Sequence, residues 1–177
     1  ARQASDTLAK LNPVAPWLVA FRASLAANAY QTLRQPELLD EALASLVPAR
    51  KLGPDLWVID MLECRIFRWK GRFAEATAAC ERAVEHSDGS LENHAALAVT
   101  YALAGQRELA LDILHQLEQE ARRRYLPPLW FAVVHAALGN REECIDALQR
   151  ALSKRDWYLV WDADDPVFDF VLDDPRV

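Results

Sequence analysis

The chain has 177 residues, a formal net charge of −6, 52 % hydrophobic residues and 26 % charged ones. That apolar fraction excludes a disordered chain, and the length fits one or two domains. The longest apolar run, Leu126 to Leu138, is interrupted by two prolines and His135, too short and too broken to span a bilayer.

The first residues, Ala-Arg-Gln-Ala-Ser-Asp, carry no apolar segment of the signal-peptide kind. There is no initiator Met, which reads as a fragment or a processed chain. A negative net charge argues against nonspecific nucleic-acid binding. Cys64, Cys80 and Cys144 are an odd set with no close pair. They read as thiols of a reducing compartment, so the expected location is cytoplasmic.

Ala and Leu make up roughly a third of the chain, a strong helical bias. Residues 4–11 read as the remnant of a preceding helix. The first full helices are expected at 15–34 and 36–47, with Pro36 starting the second and Pro48 cutting it short. Further helices are expected at 55–69, 72–86, 91–104, 106–122, 128–138 and 140–153, with a short last one near 156–162. Ser90 is placed to cap the fifth. Arg122, Arg123 and Arg124 end the sixth, where cations complement the helix dipole.

The helices repeat. Gly71, Gly105 and Gly139 are 34 residues apart, and so are Ala42, Ala76, Ala110 and Cys144. Leu46, Cys80, Leu114 and Leu148 keep the same interval, as do Ala49, Ala83, Leu117 and Ala151, and Leu33, Phe67, Tyr101 and His135. The Gly belongs between paired helices, where a left-handed backbone ends the first one. The small residue five positions later lets the two helices approach closely. A 34-residue period is that of a helix–turn–helix unit.

On these columns the chain resembles the tetratricopeptide repeat family. The third unit carries Leu97, Ala98, Tyr101, Gly105, Ala110, Leu114 and Leu117. The fourth carries Phe131, Ala132, Gly139, Cys144, Leu148 and Ala151, and the second Cys64, Phe67, Gly71, Ala76, Cys80 and Ala83. The first is degenerate, with Glu37 where Gly is expected. The resemblance implies an all-α fold, an α-α superhelix of about four repeats at 23–56, 57–90, 91–124 and 125–158. A C-terminal cap at 159–177 completes a single domain covering 1–177.

Enzyme motifs are missing. Every glycine is used by a turn, none is left to cradle a phosphate, and no cofactor is expected. The cysteines suit small-residue packing positions better than nucleophile or ligand roles. The four histidines lack ligand spacing, so no metal is expected. Asp162, Asp164 and Asp165 resemble a calcium loop only until Pro166 and Val167, which stands where Gly is required.

The family places ligands on a concave face lined by the first helix of each unit. By phase, that face receives Gln31 and Arg34, then Met61, Arg65, Arg68 and Trp69, then Val99 and Leu103, then Leu129 and Val133. The groove is expected to be basic and aromatic at its N-terminal end and apolar at the other. A peptide with acidic residues beside apolar anchors fits it. A core role for Trp69, Val99 and Leu129 stays open, since periodicity alone does not separate core from groove. The carboxylate clamp of chaperone-binding members is not expected, because Ala27 and Gln31 stand in its Lys and Asn places.

The segment Lys154-Arg-Asp-Trp-Tyr-Leu-Val-Trp, followed by Asp165-Pro-Val-Phe-Asp and Asp174-Pro-Arg, resembles the end of repeat arrays in multidomain bacterial signalling proteins. Trp157, Val160 and Trp161 have helical spacing and are expected to cover the last helix pair, extended by Val167, Phe168 and Phe170. The resemblance implies a non-catalytic interaction module, the sensory or partner-binding region of a transcriptional regulator or signalling protein. Its partner would be a protein or peptide with acidic and apolar residues, or a neighbouring domain of the same chain. Nucleic acid and membrane are not expected partners. A free-standing scaffold or secretion chaperone is the alternative. The whole charge excess sits in residues 156–177, with seven Asp against Arg176, so the acidic tail is a candidate competitor for the basic end of the groove.

Overall fold

A computed structural model describes residues 16–177, apart from the side chains of 16–19 and of Trp161. The expected helix at 4–11 and the covering role of Trp161 lie outside that description. Among the described residues the chain is all-helical. The helices are α1 (Pro16–Leu33), α2 (Glu37–Leu52), α3 (Trp57–Trp69), α4 (Phe73–His86), α5 (Leu91–Leu103), α6 (Arg107–Ala121), α7 (Pro128–Leu138) and α8 (Arg141–Lys154). A single turn, α9 (Leu159–Asp162), and a 3₁₀ turn (Pro166–Phe168) follow. None of these helices is long and apolar enough to cross a membrane.

The repeat period survives in three dimensions. Phe73, Arg107 and Arg141 open α4, α6 and α8 at intervals of 34 residues (107 − 73 and 141 − 107). Gly71, Gly105 and Gly139 precede them with φ of 70°, 79° and 75°, the left-handed backbone that L side chains resist. Each turn is closed by the same two bonds: Gly71 N donates to Arg68 O and Arg72 N to Phe67 O, with matching pairs at Gly105 and Gly139. These bonds satisfy carbonyls that the helix end would otherwise leave open.

The chain divides into two compact units, Ala1–Gly89 and Ser90–Val177. In the first, α1 packs on α2 and α3 on α4, with further contact between α1 and α3 and between α2 and α3. Small side chains let the axes close: Ala23, Ala27, Ala42 and Ala49 are wholly buried beside Leu39, Leu46, Ile59 and Ile66. In the second unit α5 packs on α6 and α7, α7 packs on α6 and α8, and the 3₁₀ turn lies against α7. Its core joins Leu129, Ala132, Cys144, Ile145, Leu148 and Ala151 to Phe168 and Val171 from the C-terminal segment.

Three local expectations are corrected. Pro48 does not end α2, which runs on to Leu52. Proline removes one donor, but Leu46 and Ala49 are buried on either side and keep the helix in the core. Arg50 then ties the last turn down by donating to the carbonyl of Pro54 at 2.8 Å. Ser90 stands at the start of α5, yet its side chain makes no capping bond there. The helix expected near 156–162 shrinks to the one turn of α9, because Asp156 is used differently. Its Oδ1 accepts from Tyr158 N at 3.1 Å, and its Oδ2 from Leu129 N, also at 3.1 Å, in the first turn of α7.

The cysteine reading is corrected as well. Cys64 in α3 and Cys80 in α4 are joined by a disulfide, with Cα atoms 5.1 Å apart. The pairing was hidden because 16 residues separate them in sequence. It removes the redox argument for a reducing compartment. Cys144 is the free thiol, and it is buried.

Candidate functional site

The residues expected to line a groove divide by unit. In the first unit α3 presents Met61, Arg65 and Trp69 at i, i+4 spacing, all half-buried on one face. The Arg65 guanidinium carbon lies over the Trp69 ring, 5.0 Å from its centroid. Such a stack holds the cation through the ring quadrupole. Tyr30 of α1 meets Trp69 with centroids 5.4 Å apart and planes tilted by 38°. Tyr30, Met61 and Trp69 all rest on the apolar core of the unit. The result is a half-buried aromatic and basic patch built from two helices.

Not every expected residue joins it. Gln31 is 3 % exposed and Arg68 8 % exposed, so both belong to the interior rather than to a binding face. The reason is register. Arg34 carries the positive φ (53°) that ends α1, and Gly71 carries it after α3, a separation of 37 residues rather than 34 (71 − 34). The buried positions follow: Ala23, Ala27 and Gln31 match Asp60, Cys64 and Arg68 at that interval. Gln31 is therefore the counterpart of Arg68, not of Arg65. Tyr30 was missed for the same reason, since a 34-residue phase equates it with Cys64. Arg34 is exposed at the end of α1, its N–H donating to Tyr30 O at 2.8 Å.

In the second unit Val99 and Leu129 are core residues, each 1 % exposed. Val133 is half-buried against that core, and Leu103 alone of the four is exposed. The apolar end of the expected groove thus loses two anchors to packing.

A second polar constellation in the first unit was not anticipated. Asp60 of α3 is wholly buried, and its Oδ1 accepts from Arg50 Nη2 at 2.8 Å and from Arg82 Nε at 2.9 Å. His86 Nδ1 lies 2.8 Å from its Oδ2. Glu63, one turn on, accepts from the same two arginines at 2.8 and 2.9 Å. Burial pushes the Asp60 carboxyl up, but the bonds from Arg50, His86 and Arg82 outweigh it and hold the group below its ordinary value. The network joins α2, α3 and α4. It is satisfied on all sides, which suits a clamp rather than a reacting group.

Elsewhere the chemistry is quiet. The Cys144 thiol is pushed up to about 11 by burial, the opposite of an activated nucleophile. Asp165 spends its Oδ1 on Val167 N at 2.9 Å, capping the 3₁₀ turn. Arg122, Arg123 and Arg124 are exposed at the end of α6, with Arg123 and Arg124 each 3.2 Å from Glu120. The acidic tail is engaged within its own unit. Arg141 of α8 donates to Asp173 at 2.8 Å and to the Phe170 carbonyl, and Arg176 forks onto Glu142 at 2.9 and 3.1 Å. Asp173 and Asp174 therefore already have cationic partners, which weakens the reading of the tail as a competitor.

No family model matches the chain, and neither a curated protein nor a solved structure matches it.

Proposed function

We propose that the chain is a tetratricopeptide-type interaction module without catalytic activity. Its task in this reading is to bind a protein segment on behalf of a bacterial regulator or signalling protein. The observation that carries it is the patch of Tyr30, Met61, Arg65 and Trp69. Aromatic rings already packed on a core lose little entropy on binding. Tryptophan, tyrosine and arginine are also the side chains that dominate interface energies. An extended acidic segment with an apolar anchor matches both halves of the patch. The second helices of the hairpins, α4, α6 and α8, open 34 residues apart, which supports the family assignment.

Peptide display against the 177-residue chain tests this reading. Selected peptides are expected to combine Asp or Glu with an apolar anchor. Trp69→Ala and Arg65→Glu are each expected to weaken a selected peptide by about tenfold or more, a hot-spot loss. Peptides bound equally by both variants would place recognition elsewhere.

A further inference from the structure

The second unit holds a cleft of about 310 Å³ between the end of α6, the start and middle of α7, and α8. That volume lies at the lower end of small-ligand sites. Its apolar lining comes from Leu126, Pro128 and Phe131, and Leu126 and Pro128 are buried. Three polar side chains complete it: Glu118 from α6, His135 from α7 and Arg150 from α8. None of these belongs to the patch of the first unit.

The charges in this cleft are unspent. Arg150 makes no ion pair with any described residue. Glu118 reaches only His115 Nδ1, at the 4.0 Å limit of an ion pair. An anion and a cation thus flank one apolar floor without neutralising each other. A ligand of one charge would gain from one wall and be repelled by the other. A small zwitterion gains from both.

His135 supplies the third contact. Burial lowers its pKa, Glu143 and Glu118 oppose that, and Arg150 adds to it, so the ring is held toward its neutral form. Asn140 Nδ2 stands 3.4 Å from His135 Nδ1 and donates to it. The ring proton then belongs on Nε2, leaving one N–H donor for a ligand oxygen.

We propose that this cleft is a binding site for a free α-amino acid with an apolar or aromatic side chain. Its carboxylate pairs with Arg150 and takes the His135 N–H. Its ammonium pairs with Glu118. Its side chain lies on Phe131, Leu126 and Pro128.

The test is an NMR titration of the whole chain with L-phenylalanine and two blocked forms. N-acetyl-phenylalanine keeps only the anion, and phenylalanine methyl ester keeps only the cation. Phenylalanine is expected to saturate, with shifts confined to residues 118–135 and 150, and to bind about tenfold tighter than either blocked form, the worth of one charged hydrogen bond. Arg150→Gln is expected to erase its advantage over the ester, and Glu118→Gln its advantage over the acetylated form. Both side chains are exposed and outside the core, so both variants keep the fold. Equal affinity for the three compounds, or no saturation by any apolar amino acid at about tenfold above ordinary millimolar ligand levels, overturns the proposal. The patch on the first unit is untouched by either outcome.

Discussion

Replacing Asp60 by Asn tests the clamp that joins α2, α3 and α4. The carboxylate is wholly buried and accepts from two arginines and a histidine. Breaking a buried charge network by removing one member costs about 3–5 kcal/mol, because the remaining charges lose their partner. Two features reduce that here. Arg50 and Arg82 keep 27 % and 41 % of their side-chain surface in water, and Glu63 still bonds both. The expected loss is therefore at the lower edge, about 3 kcal/mol. That is about a hundredfold in the opening equilibrium.

Hydrogen exchange read by mass spectrometry is the suitable assay, since two compact units need not unfold together. Amides of α3 and α4 are expected to exchange about a hundredfold faster in the variant, while those of α7 and α8 keep their rates. Asp55→Asn serves as the control, because Asp55 is 83 % exposed and only 3.8 Å from His86. It is expected to cost less than about 0.5 kcal/mol. The pH dependence has a fixed sign. The folded Asp60 carboxyl titrates below its unfolded value, so its stabilisation is complete above that unfolded value, about pH 3.9, and is lost as pH falls through the lowered one. Asp60→Asn should remove that acid-dependent component. Equal exchange in Asp60→Asn and Asp55→Asn would refute the idea that the network holds the unit together.

Gly105→Ala is expected to cost about 1 kcal/mol in urea unfolding. The cost is purely conformational, because a Cβ there meets nothing within 4 Å, so Gly105→Asn should lose less. Thiol titration of the unreduced, unfolded chain is expected to find Cys144 alone, and Cys64→Ala with Cys80→Ala should cost unit one about 3 kcal/mol, the loop entropy of a closure spanning 16 residues. Asp156→Ala should lower the stability of the second unit by about 1–2 kcal/mol, since it strips a cap from α7. Arg176→Ala should cost less than about 1 kcal/mol, because its ion pairs are at the surface.

The helices themselves were legible in the sequence. Their expected bounds fall within a few residues of the observed ones: apart from α2 every helix ends within one residue of its expected end, and α9 differs at its start. Helix periodicity and left-handed glycines are local properties, written in residues a few positions apart. The half of the patch on α3 was legible for the same reason, as Met61, Arg65 and Trp69 share a face of a single helix. Tertiary structure decided the rest. Only packing shows that α1 sits three residues off the repeat, which buries Gln31 and brings Tyr30 to Trp69. Only packing keeps α2 helical through Pro48, pairs Cys64 with Cys80, and gathers Arg50, Arg82 and His86 around Asp60. The disulfide and the Asp60 network join residues 10 to 26 positions apart, a separation at which the fold and not the local sequence chooses the neighbour.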